Sequence, residues 1–163
     1  MSEREHERSL AEPAFPGDDG QIDPLLAEVA DGELVDVLSR YGAARVFVPV
    51  VAVLTSDPQT ALTEGDKGAD MAAVLMTGAD GRQALLTFTS VAAMQRWNPQ
   101  ARPVPVYGRD AARSARSEGA AALLVDLGSP GFRVIETEDL EHIAAEHVLV
   151  RTATGTAWVS PGQ

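Results

Sequence analysis

Apolar positions along this chain fall into blocks whose period changes, and each change marks a new element. From residue 23 the spacing is helical. Leu25, Leu26 and Val29 share one face, and Leu34, Val37, Leu38 and Tyr41 continue the stripe to Gly42, a natural stop. Asp31-Gly32 interrupts it, so two short helices or one kinked helix are expected. Asp23-Pro24 supplies the start, an acceptor side chain followed by proline at the first helical position. Arg45 to Leu54, RVFVPVVAVL, is nearly all apolar and β-branched, the pattern of a strand covered on both faces. Pro49 cannot donate to a sheet ladder, so an edge position or a bulge is expected there. Residues 55–68 hold Asp57-Pro58, Gly65 and Gly68 and read as a loop.

Met71 to Thr77 is again apolar on both faces. Asp80-Gly81 is a hairpin turn signal, since both central positions of the tight turn need positive φ, and Gln83 to Phe88 is the returning strand. Thr89 and Ser90 are capping candidates for a helix over 91–97, which must stop because Asn98 precedes Pro99. Pro103 and Pro105 keep 102–106 extended. Residues 108–119 form a helix with an alanine face of Ala111, Ala112 and Ala115. Ala121 to Leu127 and Phe132 to Glu136 read as a second hairpin, and Thr137 caps a helix running to about His147. This order predicts an α+β fold, a mixed, mainly antiparallel sheet of about five strands flanked by short helices. The expected organisation is a disordered acidic tail over 1–22, a domain over 23–147, and an edge strand or tail over 148–163.

Charge refines that division. The net charge is −11, and residues 1–36 hold 11 acidic groups against Arg4 and Arg8. The remainder is close to neutral, which argues against nucleic-acid binding by bulk attraction. The chain has no cysteine, which excludes disulfides, thiolate metal sites and thiol nucleophiles. The first residues are charged rather than apolar, and no run approaches the roughly 20 apolar residues of a membrane span. A cytoplasmic protein that engages neither membrane nor nucleic acid is expected.

The run ADMAAVLMTGADGRQALLTFTSVAAMQRWNPQARPVPV carries a family resemblance. With Val48-Pro49-Val50-Val51 in the preceding strand, the Phe88-Thr89-Ser90 helix start, the Trp97-Asn98-Pro99 exit and Arg102-Pro103-Val104-Pro105-Val106, it resembles the N-terminal domain of the SseB family, named after the enhanced serine sensitivity protein. The resemblance spans about 25–147. It implies an α/β-type fold and a cytoplasmic protein, and it brings no catalytic residues with it. Larger members carry a second domain, which is not expected here. The family name evokes serine metabolism and sulfur transfer, but a persulfide carrier needs a cysteine.

Candidate chemistry is sparse. Arg109, Arg113 and Arg116 lie at i, i+4 and i+7 on one helix face, with Arg102 and Arg96 near in sequence. Guanidinium groups fork onto carboxylate or phosphate, so Arg102, Arg109, Arg113 and Arg116 with Trp97 and Asn98 are the candidate binding residues. The plainer alternatives are a solvated helix face and a tryptophan closing the core at a helix exit. In the last helix Glu138, His142 and Glu146 are spaced at i, i+4, yet no metal-ligand motif is complete, and Leu140, Ile143 and Ala144 make its buried face. No metal or cofactor is expected. Ser90 is explained by capping, and no nucleophile elbow, dinucleotide fingerprint or P-loop occurs. Three readings follow in order: a non-enzymatic module that binds a protein segment, a sensor of a small anionic metabolite through Trp97 and the arginines, and a carboxylate enzyme using Asp70, Asp126 or Glu136.

Overall fold

The computed structural model of the chain describes residues 15–54 and 69–161. The loop expected over 55–68 and the first fourteen residues of the expected tail lie outside the described residues. Helix α1 (Pro24–Ala27) starts as predicted, with the Asp23 carboxylate accepting the Leu25 N–H at 2.9 Å. Helix α2 (Leu34–Tyr41) ends at Gly42 and buries Val37, Leu38 and Tyr41. Strand β1 (Arg45–Leu54) is followed by β2 (Ala69–Ala73) and β3 (Leu75–Thr77), β4 (Gln83–Thr87), α3 (Val91–Trp97), β5 (Arg102–Tyr107) and α4 (Gly108–Ser117). Then come β6 (Ala122–Val125), β7 (Arg133–Glu136), α5 (Thr137–Ala144), β8 (Val148–Thr152) and β9 (Gly155–Val159).

The fold is α+β, but the strands form three small sheets rather than one of about five: β2-β1-β5, β3-β4-β6-β7 and β8-β9. The single strand expected over 71–77 divides at Val74, so that β2 pairs with β1 and β3 with β4. A mutual bridge between Phe47 and Phe88 stitches the first two sheets together, with N–H···O distances of 2.7 and 2.8 Å. Every strand pair is antiparallel except β4–β6, which is parallel and is joined by the long crossover through α3, β5 and α4.

Both faces of the second sheet are covered along its centre, while Met76 at its edge is exposed. Successive side chains point to opposite faces. Leu85 and Leu123 enter the main core with Tyr41, Ile135 and Leu140, while Leu86 and Leu124 face a smaller core built on Phe88 and Met94. The alanine face of α4 is fully buried, and its small side chains let that helix lie close to the sheet.

Pro49 corrects an expectation. It lies in β1, the central strand of its sheet, and not at an edge. Phe47 turns its backbone polar groups toward Phe88, and these groups alternate along a strand, so the position of the missing Pro49 N–H is on that same side. The β2 ladder begins only at Val50, so no partner there needs that donor. By the same alternation Phe47↔Pro105 and Pro49↔Pro103 are non-hydrogen-bonded pairs. Pro103 and Pro105 therefore direct their ring nitrogens to the outer side of β5. The proline-rich segment is an edge stripped of donors, a known device against strand addition.

Three further expectations change. Residues 15–22, expected within the disordered tail, are seated on the domain: Asp18 pairs with Arg45 at 3.0 Å and Gly20 accepts the Val91 N–H at 2.9 Å. A short polar segment without apolar period is fixed here by a buried arginine. Residues 148–159 form a hairpin of their own instead of adding to the main sheet. Thr137 is the first residue of α5 rather than its cap, and its hydroxyl donates to the Ala121 carbonyl.

Tyr41 is the centre of a buried polar chain. Its hydroxyl is 2.8 Å from Thr87 Oγ1, and Thr87 donates to the Leu124 carbonyl at 3.1 Å, so Tyr41 is the donor to Thr87. Burial, and next the charge of Asp126, push the phenol above its ordinary value. The stability this contributes is complete below about pH 10, where a tyrosine in the unfolded chain titrates, and is lost as the pH rises toward the raised folded-state value. Urea unfolding followed from about pH 9 to about 11.5 is expected to lose about 1.4 kcal/mol per pH unit above that point from this group. Tyr41→Phe removes that share of the slope; an unchanged slope in the variant contradicts the assignment.

Candidate functional site

An open groove of about 580 Å³ lies between α2, α5 and β9. Helix α5 turns Leu140, Ile143 and Ala144 into the core and leaves Glu138, Asp139 and His142 on the groove side. The helix closes with its last N–H groups folded back, Glu146 to Ile143 at 3.0 Å and His147 to His142 at 3.0 Å. Glu146 takes φ 63, a position glycine usually fills. Its carboxylate is held there by Arg109 at 3.4 Å and Arg113 at 3.1 Å.

This turn returns His147 onto His142, Nδ1 to Nδ1 at 2.8 Å. One ring must then carry the proton at Nδ1 while the other accepts it. The β8–β9 hairpin follows and docks through three contacts. Leu149 is buried in the main core. Trp158 stacks on His142 with ring centroids 5.1 Å apart and planes within 9°, and its indole N–H donates to Asp139 at 3.1 Å. Arg151 reaches Asp36 at 2.7 Å and holds that carboxyl below its ordinary value. That ion pair is complete above the usual aspartate range and disappears as the pH falls through the depressed value.

The groove floor is apolar, made by Leu34, Val35, Leu38, Leu149 and Trp158. Its charged lining is acidic only, Glu138 and Asp139, beside His142. Glu138 makes no ion pair among the described residues, and Asp139 uses one oxygen on Trp158. Thr156, Ala157 and Trp158 all line the groove, whereas β8 contributes Leu149 alone. Consecutive strand residues point to opposite faces. Thr156 and Trp158 share one face of β9, the face of Leu149 opposite Trp158, so the groove lies against this inner face of the hairpin, with Ala157 between them.

The sequence-derived candidates lie elsewhere. Trp97 is half-buried, its ring 5.5 Å from Phe88 in the smaller core. Asn98 uses its side chain to accept the Gln100 N–H at 2.8 Å, a local turn. Arg102 is exposed on β5 opposite Val50. Arg109 sits 4.2 Å over the Tyr107 ring and pairs with Glu146. Arg113 bonds Asp110, Glu146 and the Ala144 carbonyl, and Arg116 is exposed. The arginine face is thus largely a clip between α4 and α5. Trp97 and these four arginines all stand outside the groove lining.

Of the carboxylates weighed for catalysis, the side chain of Asp70 lies outside the described residues, and Asp126 and Glu136 are bound to different partners. Asp126, at φ 59 beyond the end of β6, accepts both the Thr89 N–H and the Thr89 hydroxyl at 2.7 Å. Glu136 faces Arg82 at 3.3 Å. The crevice at the carboxyl ends of parallel strands is where open α/β sheets bind small molecules. Here a cavity of only about 60 Å³ remains there beneath Ile22 and Leu26. Among the described residues no group of three or more histidines, aspartates and glutamates is placed to hold a metal ion, and no helix is long and apolar enough to cross a membrane.

Sequence reasoning misses the groove because His142 and its neighbouring acids read as a water-facing stripe. Trp158 sits in a segment, ATGTAW, too short to interpret by itself. The alternation VLVRT–AT–GTAWV is the available signal for a hairpin carrying a tryptophan on its inner face.

An α+β domain with one hairpin-walled groove defines the class. The sequence matches the family described as SseB protein N-terminal domain over residues 22–142, most of the chain, and the protein belongs to that family. Helix α2 and most of α5 lie inside the matched range, while β8 and β9 lie beyond it. No curated protein and no solved structure matches the chain.

Proposed function

We propose that this SseB-domain protein is a non-enzymatic interaction module that binds a segment of another protein in the groove between α2, α5 and β9. The observation that carries the reading is the groove itself, where Leu34 and Trp158 stand beside the acids Glu138 and Asp139. Three of the groups around it that could do chemistry are already engaged. Asp139 holds the indole of Trp158, His142 is shared between His147 and Trp158, and Glu146 is clamped by two arginines. These bonds fix the wall of a cleft rather than activate a nucleophile. The sensor reading through Trp97 and the arginines draws no specific support from the arrangement, since Trp97 packs on Phe88 while Arg109 and Arg113 are taken up by Glu146.

The test is selection of peptides from a random library on the full chain, repeated with Leu34→Arg. Leu34 is 37% exposed on the first turn of α2, so the substitution fills the groove without entering the core. Selected peptides are expected to lose at least tenfold in affinity for the variant. A library that yields no binder, or binders indifferent to Leu34→Arg, overturns the proposal.

A further inference from the structure

We infer that the groove takes an extended, basic–apolar segment which adds to β9 as a third strand; this rests on the interaction-module reading and specifies its mode and partner chemistry. Strand β9 pairs with β8 on one side, and the described residues supply no strand on the other. Backbone N–H and C=O groups along that side are therefore open to a partner strand.

The contrast with β5 is the first support. The outer edge of β5 is blunted by Pro103 and Pro105. Strand β9, Gly-Thr-Ala-Trp-Val, carries neither proline nor charge, the two devices that normally protect an edge. The inner face of β9 borders the groove, so alternate side chains of an added strand continue the face on which Trp158 meets Asp139 and His142 of α5, and the others point outward.

Charge is the second support. The groove lining holds Glu138 and Asp139 and no lysine or arginine. Of the charged groups on the neighbouring elements, Arg151 is engaged by Asp36 and Glu33, at 2.7 and 3.8 Å, and Glu141 adds a further acid on α5. The field at the rim thus favours lysine or arginine side chains and disfavours acidic ones. An alternation of basic and aliphatic residues satisfies floor and rim together.

The probe is an acetylated, amidated octapeptide of alternating lysine and valine, titrated into the isotopically labelled full chain. Saturable shifts are expected at the amides of Thr156 and Trp158, whose N–H groups point away from β8, and at the Trp158 indole. A glutamate–valine counterpart is expected to bind at least tenfold more weakly, and Glu138→Lys to weaken the lysine peptide at least fivefold. Methylating alternate peptide amides gives the sharpest reading, because only one set faces β9. One methylated form is expected to lose at least tenfold and the other to bind as the parent does. Equal loss from both forms, equal binding of the acidic peptide, or shifts confined to other surfaces overturns strand addition. The two failures separate cleanly. Library peptides that are displaced by Leu34→Arg but are acidic or helical keep the module and overturn this inference, while an empty library overturns both.

Discussion

Gly108→Ala is expected to be the most damaging single methyl group that can be added to this protein. Gly108 opens α4, and its backbone is pressed against the end of α2. A Cβ built there falls 1.9 Å from the Tyr41 carbonyl oxygen and 2.7 Å from its carbonyl carbon. Neither atom can rotate away, because both belong to backbone. The surroundings are also tied down: Gly108 N–H donates to the Ala44 carbonyl at 2.9 Å and Arg109 N–H to the Gly42 carbonyl at 3.1 Å. Relief requires α4 to slide off the turn between α2 and β1, opening the core around Tyr41. We expect a loss of about 4 kcal/mol, at the upper end of what single substitutions do and a large part of a domain's total stability. Urea unfolding of the purified variant measures it. Gly119→Ala is the control: that glycine has φ +74, but nothing lies within 4 Å of where its methyl would stand, so only local backbone strain of about 1 kcal/mol is expected. Equal effects at the two positions contradict the steric account.

Arg45→Ala is expected to cost about 3 kcal/mol and to release the segment ahead of α1. The Arg45 side chain is 8% exposed, and that of its partner Asp18 is 17% exposed. The guanidinium donates to the Thr89 carbonyl at 3.0 Å and to the Gln21 carbonyl, and lies 4.2 Å over the Phe47 ring. Its backbone N–H meets the capping carboxylate of Asp23 at 2.9 Å. One residue therefore fastens residues 18–23 to β1 and to the end of β4. Truncation leaves a half-buried carboxylate and two carbonyls without their donor, which is costlier than never having buried the pair. A double-mutant cycle with Asp18→Ala is expected to show coupling above about 1 kcal/mol, because the two groups are in direct contact. Limited proteolysis is expected to cut within residues 15–22 in Arg45→Ala but not in the parent. Additive single effects and an unchanged cleavage pattern overturn this view of the strap.

The two substitutions bear on the groove as well. Helix α2 forms one groove wall and ends at Tyr41, the residue Gly108 touches. Arg45 secures the segment that leads into α1 and then α2. The binding surface is thus carried on elements fixed by buried contacts at their far ends. That favours a preformed cleft over one assembled on binding.

Much of the secondary structure is legible in the chain because its causes are local. The Asp23-Pro24 start, the Asp80-Gly81 turn, the Asn98-Pro99 stop and the alanine face of α4 each rest on a few neighbouring residues. Ser90 caps its helix as its position implies, the hydroxyl accepting the Ala93 N–H at 3.1 Å. The features that differ from expectation have one thing in common: each depends on a partner far away in the chain. Pro49 sits in a central strand because its bare side falls in a gap between two other strands. Residues 15–22 are ordered by an arginine more than twenty positions later. His142 reads as water-facing until a tryptophan sixteen residues beyond it supplies a cover.

Period, capping and turn chemistry determined the α+β class, the run through Trp97-Asn98-Pro99 to Val106 carries the family resemblance, and the lack of cysteine excludes thiol chemistry. Tertiary structure alone decided that Arg109 and Arg113 clamp Glu146 instead of standing free, and that Trp158 rather than Trp97 walls a cleft. The reason is physical: a charge or a ring has no role until a second group meets it. Which groups meet here was set by the crossover between β4 and β6 and by the turn at Glu146, both of which join residues that the linear order keeps apart.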